Sequence, residues 1–165
     1  MTHEGWWHEL VKLALDECLR EFAEDQGIEA RVATEETVEK HSQRKADNFV
    51  EFLDTEQQSP LAIEVESGVK TYPRIKTEIT ERFEYYQSQG LLSFLAADGY
   101  TLNGNDPTVE DTAWKFGDGI VEVEVDEDSV QLCRIDGMSG DTLSDLAVFM
   151  NDFTFDRDDW PSHLV

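Results

Sequence analysis

The sequence predicts a single α/β (α+β) domain, a mixed sheet flanked by helices, and three observations lead there. Some segments repeat apolar residues every three or four positions, as amphipathic helices do, while others alternate apolar with polar or run wholly apolar, as strands do. The two kinds interleave in the order helix, three strands, helix, strand, and then strand, strand, helix. A chain of 165 residues that is 39% hydrophobic is long enough for one core and short for two.

The first helix spans Trp6 to Glu24, where Trp7, Leu10, Val11, Ala14, Cys18, Leu19 and Phe22 make one apolar stripe and Gly27 ends it. One tryptophan of the Trp6–Trp7 pair is expected in the core and the other over its edge. Ile28 to Thr34 reads as the first strand, and Ala46 to Asp54 as the second after the polar stretch EETVEKHSQRK. TEQQS is a polar turn before the third strand, PLAIEVES, Pro60 to Ser67. Ile75, Ile79, Phe83 and Tyr86 define a second helix from Tyr72 to Gln89, closed by Gly90, with Glu78 and Arg82 spaced for an i,i+4 pair. LLSFLAAD suits a strand buried on both faces. These elements form a predicted core over residues 1–100, and residues 101–165 a C-terminal extension. In the extension GYTLNGNDP is turn-rich, GIVEVEVDEDSVQLCRIDG gives two strands around an acidic turn, and Ser139 is placed to cap a helix from Gly140 to Met150. The tail NDFTFDRDDWPSHLV is acidic, with aromatics expected at the surface.

Thirty-seven acids against 13 bases give a net charge of −24, spread along the chain and not gathered in a tail. The apolar periodicity survives beneath this charge, which separates the chain from disordered acidic sequences and points to a halophile's cytoplasm. The alternatives are an acidic partner-binding protein or a nucleic-acid mimic. The N-terminus lacks the basic start and apolar run of a signal peptide, and no segment approaches the ~20 apolar residues of a membrane span, so an intracellular protein with no membrane partner is expected. Cys18 and Cys133 have no metal-ligand spacing and read as buried free thiols. His3, His8, His41 and His163 form no ligand pattern and read as solvated. No nucleophile elbow or phosphate-binding loop occurs, which disfavours nucleophilic catalysis and nucleotide hydrolysis.

The chemistry concentrates in PLAIEVES. Leu61, Ile63 and Val65 share one face of the strand and Glu64 and Glu66 the other, roughly 6.5 Å apart. The two carboxylates are either half of a cation site or the wet side of an acidic strand. If the pairing of the second and third strands sets Asp47 beside Glu64, a group of carboxylates forms on one sheet surface, of the kind that takes Mg²⁺ or Mn²⁺. Acid-x-acid alternation alone carries little weight, because GIVEVEVDED repeats it at Glu122, Glu124 and Asp126. Downstream, Lys70, Arg74, Lys76 and Arg82 are four of the 13 bases, placed either to meet a phosphate backbone beside Tyr72 and Tyr85 or to balance Glu78, Glu81 and Glu84 on an ordinary helix. The net charge does not exclude DNA, since molar salt screens it within about 3 Å.

Glu9 early in the first helix, KAD opening the second strand and IEVE in the third resemble the PD-(D/E)xK nuclease superfamily, the restriction-endonuclease-like fold with its αβββαβ core. The resemblance covers roughly the first 100 residues. It implies a Mg²⁺-dependent deoxyribonuclease, with Asp47 and Glu64 as metal ligands, Glu9 assisting, and either Glu66 or a lysine moved to Lys70 or Lys76 positioning the water. Ala46 stands where that motif has proline, and Glu66 where it has lysine. Arg74, Lys76 and Arg82 are then candidates to bind the nucleic acid, and a homodimer is common among such enzymes. Two other readings stay open: a non-catalytic assembly component, such as a virion head-tail or tail-completion protein docking through the C-terminal aromatics, and an inactive nuclease-like domain that still binds nucleic acid.

Overall fold

The computed structural model describes residues 3–37, 45–54, 58–68 and 70–165. Part of the EETVEKHSQRK stretch, with His41, and part of the TEQQS turn lie outside these residues. The chain runs α1 (His3–Gln26), β1 (Ala30–Thr37), β2 (Lys45–Phe52), β3 (Leu61–Glu66), α2 (Tyr72–Ser88), β4 (Leu92–Ala97), α3 (Gly99–Leu102), α4 (Val109–Phe116), β5 (Gly119–Val125), β6 (Ser129–Asp136), α5 (Asp141–Asp152) and β7 (Thr154–Asp156), ending in two 3-10 turns. The seven strands form one sheet in chain order. β1, β2 and β3 are antiparallel, β4 and β5 continue parallel to β3, and β6 and β7 return antiparallel.

Helices cover both faces, because β3 and β4 carry apolar side chains in both directions. On one face the stripe of α1, from Leu10 through Leu15 to Phe22, packs with Leu146 and Met150 of α5 on Ile63, Val65, Phe94 and Val121. On the other, Ile75, Ile79, Phe83 and Tyr86 of α2 and Ala113 of α4 cover Ala62, Leu95, Ala97 and Ile120. Each fully buried side chain of this size removes about 1.5–3 kcal/mol of apolar exposure. Gly27, at φ +63°, turns the chain out of α1 where a side chain would be strained. No helix among the described residues is long and apolar enough to cross a membrane.

The C-terminal third departs from its expected outline. Its first strand, β5, adds directly to β4 and carries the sheet onward. The turn-rich segment contains α3 and α4, the second opened by a capping box between Thr108 and Asp111. Gly140, not Ser139, occupies the N-cap of α5. The tail aromatics are inside: Phe153, Phe155 and Trp160 are buried, and Trp160 meets the edge of Trp6 at 6.1 Å. The flanking acids masked this in the sequence, because a three-residue strand and two 3-10 turns have no readable period. Trp7 is buried and Trp6 closes the edge, donating from its indole N–H to the Leu164 carbonyl at 2.6 Å. Cys18 is buried as expected, but Cys133 is exposed, because it lies on an uncovered stretch of the β6 face.

Candidate active site

The pairing of β2 with β3 matches Asn48 to Ile63, Phe49 to Ala62 and Val50 to Leu61. One further step along this register sets Asp47 opposite Glu64. Both belong to the sheet face under α2, the side-chain direction they share with Phe49 and Ala62. The alternative of a wet strand face is overturned, since Glu64 is 1% exposed and Glu66 4%. α2 covers them with Arg82 and Tyr86, whose sequence spacing of four puts both on its inward side.

Each oxygen of Glu64 has a donor. The Arg82 guanidinium reaches Oε2 at 2.6 Å, and the Tyr86 hydroxyl donates to Oε1. Asp47 is held as firmly: its Oδ1 lies 3.2 Å from Nε2 of His8, and its Oδ2 accepts from the Val65 backbone N–H at 2.8 Å. The two carboxyls face each other across the strand pair and each shifts the other's titration, so they act as a pair. Burial pushes Glu64 well above the usual carboxylate range, and the charge of Asp47 pushes it further than Arg82 can pull it back. Asp47 loses solvation too, yet His8 and the Val65 N–H outweigh that loss and hold it below its ordinary value. Of the two carboxyls, Glu64 is therefore the one whose proton is held more tightly. The Asp47 hydrogen bond also raises the pKa of His8.

Beside this pair opens a cleft of about 350 Å³ lined by Gly5, His8, Asp47, Val65, Glu66, Ser67, Lys70 and Arg82. Lys70 stands between Glu78 at 2.8 Å and Glu66 at 3.5 Å. Burial raises the pKa of Glu66, with Lys70 opposing. A second hollow of about 630 Å³, with Lys45, Glu78 and Tyr86 in its wall, shares Asp47 and Arg82 with the first. A larger groove, about 780 Å³, lies between α1 and the C-terminal tail, but all its charged lining is acidic and it offers no acid–base pair.

Asp47, Glu64, Glu66 and Lys70 of the sequence-predicted site come together. Glu9 does not join them: it lies 3.5 Å from Lys12, which also holds Glu35 at 2.8 Å. The helix residue that reaches Asp47 is His8, one position earlier, so the expectation of a solvated histidine is corrected. Nothing in the spacing of the histidines signalled this, because the contact depends on where α1 crosses the end of β2. The expected Glu78–Arg82 pair is also replaced: Glu78 binds Lys70 and Arg74, freeing Arg82 to turn inward to Glu64. Arg74 is exposed, and Lys76 donates to the Pro107 carbonyl at 3.0 Å. Among the described residues no group of three or more His, Cys, Asp or Glu is arranged to hold a metal ion. Compared with known proteins, the chain matches no family model, no curated protein and no solved structure.

Proposed function

We propose that this chain is a metal-dependent nuclease of the restriction-endonuclease-like kind, hydrolysing phosphodiester bonds in DNA, with Asp47 and Glu64 holding Mg²⁺ or Mn²⁺. The register that sets Asp47, in the cleft wall, opposite the buried Glu64 carries this reading. The helix-first order, with three antiparallel strands followed by a helical crossover to a parallel fourth, supports it further.

The donor set suits a hard divalent cation. Two facing carboxyls must share a proton or repel, and a cation between them removes that conflict. Mg²⁺ commonly takes one or two carboxylates and completes its shell with water and substrate phosphate oxygens, so a pair is sufficient. Such an ion supplies charge neutralisation at the phosphoryl group and a more acidic water. The protein's own residues supply the rest. Arg82 and Tyr86 fix Glu64 through both oxygens, and His8 and the Val65 N–H fix Asp47, so neither carboxyl needs to reorganise. Glu66, which lines the cleft beside Lys70, is placed to take a proton from an attacking water. Lys70 supplies a positive charge in the cleft at the end where Glu66 replaces the motif's lysine.

A plasmid-nicking assay in molar KCl, with Mg²⁺ or Mn²⁺ and with EDTA, tests this. The wild type is expected to nick only with metal, and Glu64→Ala to lose nicking while keeping its circular-dichroism spectrum. A folded wild type that, with metal, cleaves neither the plasmid nor a single-stranded oligonucleotide overturns the nuclease reading. DNA retention without cleavage would instead identify an inactive nucleic-acid-binding domain.

A further inference from the structure

Tyr100 is 81% exposed, the most open of the large hydrophobic side chains among the described residues, and it is not on a loose loop. It belongs to the short turn α3, whose N-cap Asp98 accepts from the Thr101 N–H at 2.8 Å. The neighbours Thr101 and Leu102 are fully buried and anchor that turn. Tyr100 is a neighbour of Tyr72, the first residue of α2, near enough to influence its phenol. The ring of Tyr72 is seated against Gly104, where a Cβ would come within 2.1 Å of it, so only glycine admits the ring there. Two tyrosines are thus held at one rim by a cap, two buried side chains and a glycine seat.

That rim adjoins the cleft. Glu66 pairs with Ala97 across β3 and β4, so the turn after Glu66 and the turn bearing Tyr100 leave the same end of the sheet. Gly68 is packed so closely on Thr101 that a Cβ on it would meet the hydroxyl at 2.8 Å. Lys70, in the cleft wall, precedes Tyr72 by two residues.

We propose that Tyr100, braced by Tyr72, is a stacking platform for an unpaired nucleobase of the substrate strand, so that the cleft acts on single-stranded DNA or on frayed and flapped ends. This rests on the nuclease reading and deepens it. In a continuous duplex each base face is covered by its neighbours, and only an unpaired strand offers a face to an aromatic ring. Salt supplies the second argument. In the molar salt that suits a chain of charge −24, contacts to phosphate lose most of their contribution, while stacking on a ring does not depend on charge. An acidic nuclease therefore needs a salt-tolerant grip, and a rigid exposed aromatic beside the cleft provides one.

Fluorescence anisotropy in molar KCl, with Ca²⁺ in place of Mg²⁺, tests this using a labelled single-stranded oligonucleotide and the same sequence as duplex. The wild type is expected to prefer the single strand. Tyr100→Ala should weaken that binding about tenfold and Tyr100→Phe should retain it, since stacking needs the ring and not the hydroxyl. Equal single-strand affinity in wild type and Tyr100→Ala overturns the platform, as does a wild type that prefers the duplex. The two readings fail separately. Metal-dependent cleavage lost in Glu64→Ala with binding indifferent to Tyr100 rejects the platform alone, whereas Tyr100-dependent binding with cleavage of neither plasmid nor single-stranded oligonucleotide in Mg²⁺ rejects catalysis alone.

Discussion

Two strands of this sheet carry nearly the same text and have opposite fates. In β3, LAIEVE, every residue is buried and Glu64 is bonded by an arginine and a tyrosine from the helix above it. In β5, GIVEVEV, Glu122 is half-buried and Glu124 exposed. Glu122 is answered by Arg134 of the adjacent strand at 3.2 Å, and the same arginine also serves Glu110 and Asp136. The alternation of apolar and acidic residues is the same in both. The difference lies in cover: α2 closes over the end of β3, whereas the corresponding end of β5 has a neighbouring strand and an open side. A buried carboxyl needs dedicated partners and acquires an altered pKa, while a half-exposed one shares a surface arginine network.

Substitutions that treat the two strands alike should separate them. The largest expected difference is in catalysis: Glu64→Ala abolishes metal-dependent nicking and Glu122→Ala leaves it at the wild-type rate, measured side by side in molar KCl. Equal loss in both variants would remove the distinction between them. Next comes stability. Arg82→Ala strips a charge-assisted hydrogen bond from a buried carboxyl and should cost about 2 kcal/mol in denaturant unfolding near neutral pH, against less than about 1 kcal/mol for Arg134→Ala at the surface.

The pH dependence gives a smaller and more specific signal. Glu64 in the folded protein titrates well above its ordinary value of 4.5. From that pH upward the folded state holds a proton that the unfolded state has released, so stability falls as pH rises toward the folded pKa. His8 acts in the same direction from 6.5 upward, because its partnership with Asp47 is fully present below that pH and is lost as the ring deprotonates. In metal-free denaturation curves Glu64→Gln should reduce the fall that begins near 4.5, leaving the smaller part due to Glu66. A variant curve parallel to the wild type would show that Glu64 ionises normally. The smallest effect concerns the thiols. Under a thiol-reactive probe one group per chain, Cys133, should react in the folded state while Cys18 waits for unfolding. Glu122→Gln should quicken the first reaction by a few fold, since after burial it is Glu122 that raises the Cys133 thiol's pKa.

The parts that were legible follow from period and punctuation. The stripes of α1 and α2, the apolar run of β4 and the alternation in β3 each report a local geometry, so their bounds fell within a few residues of those observed. α3, α4 and β7 were not legible, because four, eight and three residues are too short to display a period. The site was readable only as a set of candidates. Asp47, Glu64, Glu66 and Lys70 lie within 24 residues along the chain and the hairpin brings them together. His8 arrives from α1 and Tyr86 from the far end of α2, and no local pattern ties either to β2.

By itself, then, the sequence determined the longer helices and strands, that the chain is strongly acidic, and that acids recur on one side of β3, since each is a matter of neighbours in the chain. Only the tertiary structure decided which acid-bearing strand is covered, that Arg82 leaves Glu78 for Glu64, that His8 and not Glu9 reaches Asp47, and that the tail aromatics are core. Those outcomes depend on which helix crosses which strand end, and burial, which sets the desolvation of a carboxyl, is a property of that crossing and not of the residue.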